Sequence, residues 1–282
     1  MDFATIKWEL RENGLGILAL NRPDDLNAIS YQMVEDLHQL ADHLMVNLDC
    51  RVLIFRAEGR VFSAGSDLKD GNMLNLKKIY EPGYDKFYFL DVPEVVKKKM
   101  YYQWRISQFY VKMRKISQPI ICLVQGPAAG AGFSFVLASD VRIATSKASF
   151  VNAVINIGLA GVDVGSSYFL PRLIGMARAA EIIYSGKSIT ADDALRYGLL
   201  SRIVEEDKLL DAGLELAETY LQKSPLGLRA TKEILNLSMD APSLETMLQL
   251  ENGYQTVCGM SKDIYEGSSS FLQKKKPSYD LR

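Results

Sequence analysis

The stretch Gln125 to Asp140, Q-G-P-A-A-G-A-G-F-S-F-V-L-A-S-D, constrains this chain more than any other part of it. The apolar, β-branched run Pro119 to Val124 before it reads as a buried strand, and Phe133 to Ala138 after it, apolar on nearly every side, reads as a buried helix. Gly126, Gly130 and Gly132 lie between them with only Pro127, Ala128, Ala129 and Ala131 for company, so the backbone can turn sharply and come close to a ligand. A helix start also exposes N–H groups and carries partial positive charge. Two readings follow: tight strand–helix packing by small residues, or a seat for an anion or a developing oxyanion.

A second stretch, Phe62-Ser63-Ala64-Gly65-Ser66-Asp67-Leu68-Lys69, repeats the pattern. Val52 to Phe55 is the buried strand before it, small residues release backbone N–H groups, and Asp67-Leu68-Lys69 is expected to begin a helix. Two such turns can bring two N–H donors to one point, the usual device for holding the oxygen of a thioester enolate or tetrahedral adduct. Upstream, Ile6 to Leu10 and Leu15 to Leu20 read as a hairpin, and Ser30 caps a helix whose apolar positions follow a 3.6 period. Downstream, Ala177 to Tyr184 and the segment Ala191 to Tyr197, started by a capping box at Thr190 and stopped by Gly198, are helices. Strand, loop, helix, strand is the alternation of an α/β fold with a largely parallel sheet.

Composition narrows the function classes. With 48% hydrophobic and 24% charged residues and a net charge of −1, the chain has no global field for nucleic acid or membrane. Met1 to Arg11 is too polar for a signal peptide, and no apolar run reaches the roughly 18 residues of a membrane span. A cytoplasmic protein is expected. Three scattered cysteines, Cys50, Cys122 and Cys258, argue against a disulfide framework or a paired-cysteine metal site. His38 and His43, the two histidines, do not share a helix face as i and i+4 residues would, so surface or packing roles are expected and no metal site is.

Asn21-Arg22-Pro23 with Leu26-Asn27-Ala28, then Phe62 to Lys69, then Gln125 to Gly132 and Ala138-Ser139-Asp140, resemble in order and spacing the crotonase (enoyl-CoA hydratase/isomerase) superfamily over nearly the whole chain. The resemblance implies an α/β spiral of ββα turns, trimers or hexamers built as dimers of trimers, and an acyl-CoA thioester as substrate, with no further cofactor. It also implies that the backbone N–H groups of Ser66 and Ala131 form the oxyanion hole. Ala64, Asp67 and Leu68 fall where the family's main chain holds the CoA adenine, and Gly130 lies beside the second donor; Asp67 can equally serve as a helix cap. Phe271 and Lys274 match residues that approach the CoA adenine or phosphate in relatives, though a solvated basic tail accounts for them equally well.

The departures from that pattern leave the reaction open. Hydratases of the family carry glutamates at the places occupied here by Ser134 and Val154, so their two-carboxylate addition of water cannot operate unchanged. Asp163 offers a substitute, since a carboxylate in the apolar, glycine-rich segment Asn152 to Tyr168 has a raised pKa and can act near neutrality. It matches the nucleophilic aspartate of chlorobenzoyl-CoA dehalogenases when counted back from Ser167-Tyr168, and misses by one when counted forward from Gly158. The other reading makes it the cap of the helix starting near Gly165-Ser166. Ser134 can orient water or simply fill space between helices.

Residues 1–205 are read as the spiral core and 206–282 as a helical region that builds the trimer and covers the site, with helices at Leu209 to Lys223, Pro225 to Met239 and Ser243 to Cys258. Within the core, about 70–117 is an insert rich in aromatics, among them Tyr80, Tyr84, Phe87, Tyr88, Phe89, Tyr101, Tyr102, Trp104, Phe109 and Tyr110, beside Lys97-Lys98-Lys99. It reads as an acyl-pocket lid or as amphipathic helix packing on the spiral. The leading expectation is hydration or isomerisation of an unsaturated, bulky or cyclic acyl-CoA. Ring-cleaving C–C hydrolysis of a β-keto acyl-CoA, Asp-nucleophile chemistry, and a non-catalytic CoA-binding subunit are the alternatives.

Overall fold

The computed structural model describes residues 1–70 and 90–279 of the chain. Strands β1 (Ile6–Leu10) and β2 (Leu15–Leu20) form the expected hairpin, followed by helix α1 (Tyr31–Val46), whose Ser30 cap accepts the Met33 N–H. Then come β3 (Val52–Ala57), α2 (Glu94–Lys115), β4 (Ile120–Val124), the short β5 (Ala128–Ala129), α3 (Ala131–Ala138), β6 (Val141–Thr145) and β7 (Ser149–Val151). The chain continues through α4 (Ser166–Ile174), α5 (Met176–Ser185), β8 (Ile189–Thr190), α6 (Ala191–Arg196) and β9 (Arg202–Val204). It ends in α7 (Leu209–Leu221), α8 (Pro225–Ser238), α9 (Leu244–Gly259) and α10 (Lys262–Leu272).

The strands form a sheet in the order β1-β2-β3-β4-β6-β9, parallel except at the hairpin, and a smaller sheet in the order β5-β7-β8. Strands in a parallel sheet are covered on both faces and so read as continuous apolar runs. In β4, Ile120, Cys122 and Val124 point into the core shared with α1, α2 and α3, while Ile121 and Leu123 point to the opposite core under α7. The same alternation divides β3, with Leu53 and Phe55 on one side and Val52 and Ile54 on the other. In the larger core an aromatic cluster fixes α2 against α3: Tyr110 stacks on Phe135 at 5.1 Å, and Phe109 meets the same ring edge-on.

Two expectations need correcting. Asp67-Leu68-Lys69 does not begin a helix within the described residues; the Asp67 side chain accepts the Lys69 N–H and closes a turn instead. The tail carries a fourth helix, α10, whose N-cap Ser261 is separated from the end of α9 by Met260 alone. Tyr80, Tyr84, Phe87, Tyr88 and Phe89 of the insert lie outside the described residues. Its second half is α2, an amphipathic helix packed on α1, with Tyr101, Tyr102, Ile106, Phe109, Tyr110 and Met113 buried. His38 belongs to this packing: its ring bonds the Arg105 carbonyl, and burial pulls its imidazole down to about 4. The three cysteines are free thiols.

Asp140, the end of the Ala-Ser-Asp motif, ties four segments together. Its carboxylate accepts the Ile120 N–H, pairs with Arg114 at 2.7 Å and meets the buried Lys232 of α8 at 3.0 Å. Lys232 also donates to the carbonyls of Gln118 and Met113. Burial pushes the Asp140 carboxyl up, but Lys232 and Arg114 outweigh that and hold it below the usual range; burial likewise pulls the Lys232 ammonium down to about 8. Removing one member of such a cluster strands the others. Lys232→Met is therefore expected to lower the free energy of unfolding by about 3 kcal/mol, read from urea midpoints, and a change below about 1 kcal/mol would contradict this account.

Candidate active site

The two small-residue turns meet. Ser63 and Ala128 form an isolated parallel bridge, with the Ala129 N–H donating to the Ser63 carbonyl at 2.9 Å and the Phe62 and Ser63 N–H groups both reaching the Pro127 carbonyl. Approach this close explains the glycines. A methyl group on Gly132 would stand 2.5 Å from the Ser63 Cβ, and one on Gly65, at φ +87°, would stand 2.8 Å from the Ala129 carbonyl oxygen and 3.5 Å from the Ala131 nitrogen. The first turn is also steadied from upstream. Ile29 pairs with Ser66, the Ser63 hydroxyl donates to the Asn27 carbonyl, and Arg22 binds the Asp67 carboxylate at 3.0 Å. The buried Asn27 amide donates to the carbonyls of Glu58 and Val61, so the Asn-Arg-Pro and Leu-Asn-Ala motifs serve as a brace for this turn.

Two backbone donors are left over at the meeting point. Ala131 opens α3, so its N–H has no intrahelical acceptor, and the pairing of Ile29 uses the Gly65 carbonyl and the Asp67 N–H but leaves the Ser66 N–H aside. Neither N–H is bonded to an acceptor among the described residues. With Gly65 within reach of the Ala131 nitrogen, the geometry can present both donors to one oxygen.

Asp163, Ser134 and Val154 gather at the same place. The Ser134 hydroxyl donates to the Asp163 carbonyl at 3.4 Å, and Val154 Cγ1 is the nearest atom a side chain on Gly130 would meet, at 3.9 Å. Asp163 does not cap α4: the cap is Gly165, with no side-chain bond, and the Ser166 hydroxyl instead accepts the Asp163 N–H. The Asp163 carboxylate is half-buried, and its Oδ1 accepts from the Gln103 amide and from the Val164 N–H. Oδ2 has no hydrogen bond among the described residues. Burial raises its pKa above the usual carboxylate range, against the opposing pull of Gln103 and the Val164 N–H. Val164 holds φ at +35°, which a β-branched residue rarely tolerates, and such strain concentrates at functional sites.

The α2 helix, read from the sequence as either an acyl-pocket lid or amphipathic packing, packs on the core and also borders this site. Tyr110 donates to the Ala131 carbonyl at 2.7 Å, Gln103 binds Asp163, and Tyr102 lies beside Ser66 with Asp70, Asp163 and Asp67 as its charged neighbours. The signal was present as two tyrosines within the buried stripe Tyr102, Ile106, Phe109, Tyr110 and Met113, since a hydroxyl on a core-facing stripe needs a polar target. A cavity of about 860 Å³ between α2, α4, α8 and α9 shares Tyr110, Val164 and Gly165 with the site.

The remaining candidates divide. Ala64 and Leu68 are exposed along the rim of the first turn, and Asp67 is held by Arg22 beside them. Phe271 is 82% exposed at the end of α10, with Lys274 just beyond in a left-handed conformation, so neither is packed into the site by its own chain. Among the described residues no group of three or more His, Cys, Asp and Glu side chains is placed to hold a metal, and no helix is long and apolar enough to cross a membrane.

Comparison with known proteins agrees with this arrangement. The family model for enoyl-CoA hydratase/isomerase matches residues 10–282. The chain is 32% identical to the 1,2-epoxyphenylacetyl-CoA isomerase of Escherichia coli, covering 95% of both chains. It is 34% identical to a probable enoyl-CoA hydratase of Mycobacterium bovis, over 93% of this chain and 88% of the relative. Among solved structures, an enoyl-CoA hydratase from Bacillus anthracis superposes with a TM-score of 0.87 at 27% identity, over 99% of this chain and 100% of the other. By sequence, by fold and by the convergence of its two turns, the chain belongs to the enoyl-CoA hydratase/isomerase family.

Proposed function

We propose that this protein is an acyl-CoA isomerase that moves a double bond through a thioester enolate. The N–H groups of Ser66 and Ala131 hold the thioester oxygen as charge develops on it. Asp163 removes a proton from one carbon of the acyl chain through Oδ2 and returns it to another. The observation that carries this reading is the half-buried Asp163 carboxylate beside the paired turns, whose Oδ2 has no hydrogen bond among the described residues and whose pKa is raised, whereas Asp67 is taken up by Arg22. A proton shift needs one group that first accepts and then donates, whereas hydration also needs a second group to activate water. Ser134 and Val154 supply no second carboxylate. That the E. coli relative is named an isomerase supports the same choice. Coenzyme A is the carrier in this reading, with Ala64, Asp67, Leu68 and Gly130 along its path, and the cavity beside Tyr110 has room for a bulky acyl group.

The assembly belongs to the same proposal. The α9 and α10 helices leave Leu244, Val257, Met260, Tyr265 and Leu272 exposed, a concentration of apolar side chains that favours contact with other copies. Trimers or hexamers would bring Phe271 and Lys274 of one copy to the CoA of another. Light scattering in solution is expected to return a mass three or six times that of one chain, and a monomer at micromolar concentration would remove the assembly proposal.

Incubation with 2-enoyl- and 3-enoyl-CoA thioesters is expected to interconvert them without change of mass. Gain of one water would replace isomerisation by hydration, and no turnover of either would favour a non-catalytic CoA-binding subunit. Asp163→Asn is expected to lower kcat by about a hundredfold or more. Because the base must be ionised and its pKa is raised, kcat/KM falls as pH drops through an inflection above the usual carboxylate range, and that limb disappears in the variant. Ala131→Pro removes one donor at a first helical position, where proline is tolerated, so a loss of about 10²-fold or more in kcat is expected with thermal unfolding little changed. Retained activity in that variant would refute the two-amide hole.

A further inference from the structure

Tyr102 is 6% exposed, and its hydroxyl is buried without a hydrogen bond of good geometry among the described residues, the Ser66 side chain being the one polar partner close to it. Burying a hydroxyl unpaired costs about 1–3 kcal/mol, so such groups in a folded chain call for a partner that arrives later. The surroundings narrow what that partner is. The ring comes from α2, one residue before Gln103, which binds Asp163, and two turns before Tyr110, which binds the Ala131 carbonyl. The hydroxyl stands beside the Ser66 side chain, with the carboxylates of Asp70, Asp163 and Asp67 around it. It thus lies among the groups that surround one of the two free amides and the carboxylate.

We propose that Tyr102 is a substrate-contacting catalytic residue whose hydroxyl donates a hydrogen bond to the thioester oxygen, as a third donor beside the Ser66 and Ala131 amides. This rests on the reading of the two turns as an oxyanion hole. A donor is the role its chemistry permits: burial, reinforced by the three aspartates, pushes the phenol well above its usual range, so the proton stays on oxygen at working pH. Tyr110, also raised by burial, has its proton committed to the Ala131 carbonyl and orients the second turn. One helix then contributes a substrate donor at Tyr102, a hold on the base at Gln103 and a hold on the hole at Tyr110.

The test compares wild type with Tyr102→Phe in three measurements: turnover of enoyl-CoA thioesters, ultraviolet titration of bound acetoacetyl-CoA to its enolate, and thermal unfolding. Acetoacetyl-CoA reports stabilisation of an enolate oxygen whether or not the protein turns it over. For Tyr102→Phe we expect kcat to fall tenfold or more with KM within about twofold. The apparent pKa of bound acetoacetyl-CoA is expected to rise by about one unit and the unfolding temperature to stay the same or rise, since an unpaired buried hydroxyl is lost. A structural hydroxyl would instead lower the unfolding temperature and leave the bound pKa alone, overturning the proposal. If wild type isomerises and Tyr102→Phe matches it in rate and bound pKa, the Tyr102 role fails and the isomerase reading stands. If wild type does not isomerise but the bound pKa depends on Tyr102, the isomerase reading fails and this role stands. If wild type neither turns over nor stabilises the enolate, both fail.

Discussion

A contact with no space for a side chain governs this molecule: the backbone from Ser63 to Gly65 lies directly against the backbone from Ala128 to Gly132. Each turn ends a strand of the same parallel sheet, so their approach is set by sheet geometry. Hydrogen bonds between the Ala129 amide and the Ser63 carbonyl, and between Phe62 and Pro127, consume the groups pointing inward along the contact. What is left unpaired is the N–H of Ser66 and that of Ala131. The two free donors are therefore a remainder of the packing itself: two adjacent turns satisfy most of their polar groups on each other, and these two amides are left over.

The rest of the chain holds that contact still. Asn27 and Arg22 brace the first turn from the hairpin side, while Asp140, Arg114 and Lys232 fix the strand and helix that flank the second. The α2 helix crosses between them and carries hydrogen bonds to both the Ala131 carbonyl and Asp163. A charged cluster this well buried is costly to form and more costly to break in part, so it acts as a positional constraint more than as a source of net stability. Strain at Val164 is consistent with that arrangement, because a disfavoured backbone persists only where its surroundings leave no alternative.

Local chemistry made much of this legible in the sequence. Alternating cores on the two faces of β3 and β4 follow from unbroken apolar runs, Ser30 and Thr190 cap the helices they were expected to cap, and glycines mark the close approach of the turns. Asp163 was recognisable as a lone carboxylate in an apolar segment, and only coordinates distinguish its pairing with Gln103 from a capping role. The turn after Ser66 was misread because Asp67 satisfies the Lys69 amide and the Arg22 guanidinium together, a long-range pairing that local helix propensity does not contain. The partners of Tyr102, Gln103 and Tyr110 were hidden for a similar reason. They lie on other elements, and a stripe of aromatics at helical spacing looks the same whether its hydroxyls meet core or cleft.

The double duty of α2 bears on how such a protein can diverge. Its inward face contributes Phe109, Tyr110 and Met113 to the main core while Tyr102 and Gln103 look toward the reacting centre. A mutation on that face perturbs foldability and selectivity in one stroke, so new specificities cannot be reached there by single neutral steps. Adaptive drift is channelled elsewhere, toward the outer walls of the adjoining cavity near Leu237 and Val257, where side chains can vary without disturbing the frame.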